Sequence, residues 1–268
     1  MATSQFVNID WTGKSVSIEY QWLGSADAER PFIIFLHEGL GSVAMWKDFP
    51  QRLCEAADCR GLVYSRPGYG KSTPRAADVA WQPDFMHRQA FEVLPTLLKA
   101  LDINTEVQKP WLFGHSDGGS IALLFAAKYP NNTSGSIVLA PHILVEEVSI
   151  SSIEKAKIAY QTTELRSKLA RFHDDVDSAF WGWNDIWLNP AFRHWNLTQA
   201  IKTITCPLLA IQGLDDEYGT LEQIHGIKRV LPDTQLLELS NCGHSPHRDR
   251  PDALIDACVA FVFSVVGP

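Results

Sequence analysis

A chain of 268 residues, 46% hydrophobic and 20% charged, is an ordinary globular composition with material for a sizeable core. Its formal net charge of −8 argues against a nucleic-acid partner or an anionic membrane surface, and its longest apolar stretch, residues 257–266, is too short to span a bilayer and is broken by Ser264. Residues 1–14 lack the basic-then-apolar order of a secretory signal, and five cysteines (54, 59, 206, 242 and 258) form an odd set with no Cys-x-x-Cys pair, as expected of reduced thiols in a cytoplasmic protein.

Residues 5–9 and 14–23 alternate apolar and polar side chains and predict an antiparallel hairpin turning at Thr12-Gly13. Residues 31–36 form a short continuous apolar run, the signature of a strand buried on both faces. A helix is predicted over 45–57, a buried strand over 61–64, a turn-rich loop over 65–70 and a helix over 84–101. Strand 111–114 leads through Gly114-His115-Ser116-Asp117-Gly118 into a helix over 120–128. Strands follow at 135–140, 207–211 and 235–239, with helices over 221–230 and 253–265. Alternation of this kind implies a mostly parallel sheet covered on both faces. Residues 141–205 contain no buried-strand run. Two helical patterns and a Trp-rich stretch fill them, which predicts a helical insertion between two sheet strands rather than an independent domain.

The segment around Ser116 is a Gly-x-Ser-x-Gly elbow in its strand–turn–helix setting. Such a tight turn strains the serine backbone, presents its hydroxyl at the carboxyl edge of the sheet, and leaves the N–H of Asp117 to face a developing oxyanion. A serine hydroxyl needs a base, and the base an orienting acid. After strand 207–211 the chain reads Gly213-Leu214-Asp215-Asp216, offering two acids; after strand 235–239 it reads Cys242-Gly243-His244-Ser245-Pro246-His247, offering two histidines. All lie in short loops at strand carboxyl ends, where open α/β sheets bind ligands. His247 lies deeper in its turn, before an Arg-Asp-Arg run, and is taken as structural. His173-Asp174-Asp175 lacks paired metal-ligand spacing and is expected in a solvated loop. The glycines of residues 65–72 lack a phosphate-loop frame.

These features together resemble the α/β-hydrolase superfamily, in its capped single-domain form, over essentially the whole chain. The resemblance implies an α/β fold with a mostly parallel eight-stranded sheet, a core of residues 1–140 and 206–268, and a helical cap over 141–205. It implies Ser116 as nucleophile, His244 as general base, and Asp216, three residues after Gly213, as the acid. Gly39, in His37-Glu38-Gly39, takes the place of the second oxyanion donor beside Asp117. Glu38 stands where the superfamily usually has glycine; it is expected to turn away and bond loop backbone, or else to meet a positive part of the substrate. Asp117 resembles the acid that receives the amine in aminoacyl-ester hydrolases, the alternative being a contact with local backbone or Arg66. His142, Trp181, Trp183 and Trp187 are candidates for lining a substrate pocket. The implied activity is metal- and cofactor-independent cleavage of a small ester, lactone or thioester. Carbon–carbon hydrolysis of a meta-cleavage diketone and aminoacyl-ester or peptide cleavage are the enzymatic alternatives, and a small-molecule receptor on the same fold is the alternative of another class. The partner is a small molecule; oligomeric state is left open.

Overall fold

A computed structural model of the chain describes residues 3–24, 30–76 and 78–266. The outer ends of the expected core segments, residues 1–2 and 267–268, lie outside the described residues. The strands are β1 (Gln5–Trp11), β2 (Lys14–Gly24), β3 (Phe32–Leu36), β4 (Arg60–Tyr64), β5 (Trp111–His115), β6 (Gly135–Leu139), β7 (Leu208–Gly213) and β8 (Gln235–Leu239). They form one sheet in the order β1-β2-β4-β3-β5-β6-β7-β8. The β1–β2 and β2–β4 pairs are antiparallel and the other five parallel. The crossovers carry α1 (Phe49–Ala56), α2 (Phe85–Arg88), α3 (Leu94–Ala100), α4 (Asp117–Lys128) and α8 (Glu222–Val230); α9 (Pro246–Asp249) and α10 (Pro251–Val266) end the chain.

The inner strands are mostly apolar because each residue, pointing to alternate faces, meets a helix layer on its side. Ile33 and Phe35 join Phe113, Ile137 and Ile211 under α1 and α10, whereas Ile34 and Leu36 join Leu112, Val138 and Ala210 under α3, α4 and α8. Two predicted helices differ in detail. Residues 45–57 hold a short 3-10 turn, Ala44–Trp46, then Lys47 at φ 56°, then α1. Pro50 favours a helix start there, since it lacks the N–H that a helix interior requires. Between α2 and α3 the chain widens to a π-helical stretch, Gln89–Val93, just before Pro95. The missing N–H of Pro95 is absorbed at that irregularity.

Between β6 and β7 lie α5 (Glu147–Thr162), α6 (Leu165–Leu169) and α7 (Val176–Trp187). The Trp-rich stretch is therefore a helix, started by Asp175, whose side chain accepts from the Ser178 N–H at 2.8 Å. His173 does not lie in a solvated loop. It is buried; its Nδ1 accepts from the Gly70 N–H and its Nε2 donates to the Leu40 carbonyl, both at 3.0 Å. It thus ties the loops after β4 and β3 to the segment before α7. No helix among the described residues is long and apolar enough to cross a membrane.

Candidate active site

At the carboxyl end of β5, Ser116 has φ 53° and ψ −121°, a strained conformation for a residue with a Cβ. Its neighbours permit the turn. A Cβ on Gly114 would stand 2.2 Å from the Gly118 carbonyl oxygen, and one on Gly118 would stand 2.0 Å from that of Leu36. The Ser116 N–H is fixed to the Leu139 carbonyl at 2.9 Å. Asp117 is the first residue of α4, so its N–H has no partner within the helix.

Three loops converge on this serine. His244, from the loop after β8, places Nε2 3.0 Å from Ser116 Oγ. Its Nδ1 lies 2.9 and 3.0 Å from the two carboxylate oxygens of Asp216, in the loop after β7. Asp216 also accepts from the N–H groups of Tyr218 (2.8 Å) and Gly219 (3.3 Å) and from Gln212 Nε2 (3.1 Å). Burial works to raise its pKa, but the bond and charge of His244 and the Tyr218 N–H outweigh it, leaving the carboxyl below its ordinary range. Asp215 is exposed and meets the loop only through its backbone, donating its N–H to Cys242. Gly39 lies beneath the Trp183 indole, where a Cβ would stand 2.2 Å from Nε1.

A cavity of about 190 Å³ opens over Ser116, lined by Gly39, His142, Trp183, Trp187 and His244 among others. Trp183 and Trp187, one helical turn apart on α7, share a face toward it. Trp181, two residues from Trp183, points elsewhere, correcting the expectation that it lines this pocket. Its ring stands against Tyr160 at 5.6 Å and borders a separate surface cleft. His142 does face the cavity. Its ring is 4.8 Å from Trp187 and 5.7 Å from His244, and burial followed by the charge of His244 pushes its pKa down to about 3.

The two extra acids differ from each other. Glu38 does not bond loop backbone: Oε1 accepts from Arg248 Nη2 at 3.2 Å and Oε2 lies 3.5 Å from His115 Nδ1. Burial opposes its ionisation, yet His115 and Arg248 hold its carboxyl well below the usual glutamate range. Asp117 is fully buried and does not border the cavity. One oxygen accepts from Trp187 Nε1 at 3.2 Å and the other is 3.8 Å from the Arg66 guanidinium. Burial raises its pKa and Arg66 counteracts that. Among the described residues no group of three or more His, Cys, Asp or Glu could hold a metal ion.

A model of the alpha/beta hydrolase family matches residues 33–257. The chain belongs to that family. It is 26% identical to a 2-hydroxy-6-oxo-6-phenylhexa-2,4-dienoate hydrolase of Burkholderia cepacia, over 94% of this chain and 93% of that one. It is 25% identical to a bifunctional esterase/perhydrolase of Acinetobacter calcoaceticus, over 94% and 98% respectively. A thermophilic esterase from Thermogutta terrifontis has the same fold, with a TM-score of 0.73 at 18% identity over 98% of this chain and 99% of that one.

Sequence reasoning missed several residues around the hydrolase's cavity. His115 Nε2 donates to the His244 carbonyl at 2.7 Å, so the residue before the serine holds the loop that carries His244. Arg248 lines the cavity, although as part of a charge run it resembles solvated surface. Its place four residues after His244, in the short helix α9 that follows that loop, was the available signal. His247, by contrast, is expected from the sequence to be structural, and it is buried against Trp46 with ring centroids 4.9 Å apart.

Burial holds His37, His142 and His247 below the ordinary value of 6.5, so each stays neutral where an unfolded chain takes up a proton. Stability from this source is fully present above pH 6.5, falls as the unfolded chain takes up protons below that value, and the loss levels off once the folded values are passed. Between pH 7.5 and 5.5 His142, whose folded value lies at about 3, costs about 1.4 kcal/mol, and His37 and His247 shift stability in the same direction. Urea midpoints should fall steadily across that window. A flat profile contradicts the buried neutral state.

Proposed function

We propose that this alpha/beta hydrolase is a serine hydrolase cleaving a small carboxylic ester, lactone or thioester through an acyl-enzyme at Ser116. The observation that carries the reading is the unbroken Asp216–His244–Ser116 hydrogen-bond chain, at 2.9 and 3.0 Å, ending on a strained elbow serine. His244 takes the Ser116 proton as Oγ attacks the carbonyl carbon, and the imidazolium is held by Asp216. The N–H groups of Gly39 and Asp117 receive the oxyanion. The leaving group departs with the proton from His244, which then activates water to release the acid. In this reading residues 141–205 serve as a cap over a core of 1–140 and 206–268. Trp183 and Trp187 form an apolar wall, and His142 is a neutral hydrogen-bonding group beside it.

Carbon–carbon hydrolysis of a meta-cleavage diketone is the second reading, favoured by the name of the Burkholderia cepacia relative. The buried, Trp187-bonded carboxylate of Asp117 favours the Arg66 contact over amine binding, and so speaks against aminoacyl-ester cleavage. A fluorophosphonate should label Ser116 within minutes, located by peptide mass spectrometry, and p-nitrophenyl esters from acetate to octanoate should turn over with a preference for the shorter chains. Labelling with cleavage of a 2-hydroxy-6-oxo-dienoate but of no ester would establish the second reading. Labelling without turnover of any substrate would favour a small-molecule receptor.

A further inference from the structure

One end of the cavity over Ser116 is charged, and the hydrolytic steps leave it unused. Among the described residues that line the cavity, Arg248 is the only lysine or arginine. Its guanidinium is tethered at one nitrogen: Nη2 donates to Glu38 Oε1 at 3.2 Å and to the Met45 carbonyl at 3.5 Å. Nε and Nη1 meet no acceptor among the described residues, and the side chain is 37% exposed. A guanidinium carries five N–H donors in a planar fork, so three remain available. Glu38 is in the opposite condition. Arg248 occupies one of its oxygens and His115 approaches the other. The unmet demand at this end is therefore for an acceptor, and preferably a charged one. Beyond the neutral polar groups of His142, Tyr218 and Ser245, the rest of the wall is apolar, with Leu40, Ile153, Leu169, Trp183 and Trp187.

We propose that Arg248 is a specificity-determining residue that takes a carboxylate of the substrate, so that the enzyme favours acidic molecules with an apolar body over neutral ones of the same shape. Glu38 fixes the guanidinium in place before the substrate arrives, which lowers the ordering cost of binding. The proposal rests on Ser116 acting as the nucleophile.

The test uses matched pairs on the full-length protein. On the acyl side, the p-nitrophenyl monoester of adipic acid is compared with its methyl-capped analogue. On the leaving-group side, 4-carboxyphenyl butanoate is compared with 4-(methoxycarbonyl)phenyl butanoate. The rate with Ser116→Ala enzyme is subtracted throughout. The expected result is an acid-over-neutral ratio of kcat/KM of at least about tenfold in one of the two series, as a charge-assisted contact allows. Arg248→Gln should bring that ratio close to one, and Arg248→Lys should keep part of it, since lysine retains the charge without the fork. Wild-type ratios near or below one in both series overturn the proposal without any variant. So does a wild-type preference that survives in Arg248→Gln. Absence of Ser116-dependent turnover on all four compounds sinks the serine-hydrolase reading as well, whereas turnover without preference sinks only the role of Arg248.

Discussion

Ser116→Ala and His244→Ala should each lower kcat on the best ester by about 10⁴- to 10⁶-fold, and the double variant should be no slower than the worse single one. The reason is that both side chains act on one proton. At 3.0 Å, His244 Nε2 is within reach of the Ser116 hydroxyl and nothing further has to move for transfer to begin. Without the imidazole, the hydroxyl meets the carbonyl fully protonated. Without the hydroxyl, the imidazole has no nucleophile to activate. In the proposed mechanism the residual rate over water then comes from binding and from the N–H groups of Gly39 and Asp117, which both variants keep. Neither replacement opens a large hole, because Ser116→Ala removes one oxygen and the His244 ring borders the cavity. Thermal melting should accordingly stay within a few degrees of wild type. Steady-state rates against active-site concentration decide the matter. Losses that multiply in the double variant would mean that the two side chains act independently, and the proposed mechanism would fail.

The parts of this molecule legible in the sequence are those governed by near neighbours along the chain. A strand flanked by helices on both sides is mostly apolar, so the run at Phe32–Leu36 and the Ile137–Leu139 part of β6 announce themselves. The elbow is equally local, because the collisions that demand Gly114 and Gly118 arise within a few residues or against the adjoining strand. Apart from Ser116, Asp216 and His244, which the family resemblance supplied, what depends on partners far apart in the chain was hidden. Glu38 meets an arginine 210 positions away, and His173 bonds a glycine 103 positions away. No periodicity encodes either contact. Trp181 is an intermediate case: once its segment is known to be helical, a separation of two residues from Trp183 puts it on another face. The break at Lys47 and the widened turn before Pro95 are backbone adjustments to packing that a helical pattern smooths over.

Asp216→Asn should lower kcat by about 10⁴-fold, whereas Asp215→Asn should stay within about threefold of wild type. The two positions are adjacent, and the hydrogen bonds separate them. Asp216 Oδ1 accepts from the Tyr218 and Gly219 N–H groups and Oδ2 from Gln212 Nε2, while both oxygens face His244 Nδ1. An asparagine has one oxygen to place among these donors. The two backbone donors on the Oδ1 side are fixed, so the amide oxygen settles there and the NH₂ takes the Oδ2 position, 3.0 Å from the imidazole. An NH₂ facing Nδ1 favours the tautomer in which that nitrogen accepts and the ring proton sits on Nε2, in competition with donation from Nδ1 to the amide oxygen at the Oδ1 position, 2.9 Å away. An imidazole protonated at Nε2 cannot receive the proton of Ser116. Gln212 can turn over only by giving up its bonds to the Gly219 and Thr220 carbonyls, at 2.8 and 3.1 Å. Asp215 is exposed, and its backbone contact with Cys242 survives any side-chain change. Rates of fluorophosphonate labelling at Ser116, compared across wild type and both asparagine variants, test this without knowledge of the natural substrate. Equal labelling in Asp216→Asn and wild type would show that the carboxylate does not set the tautomer of His244.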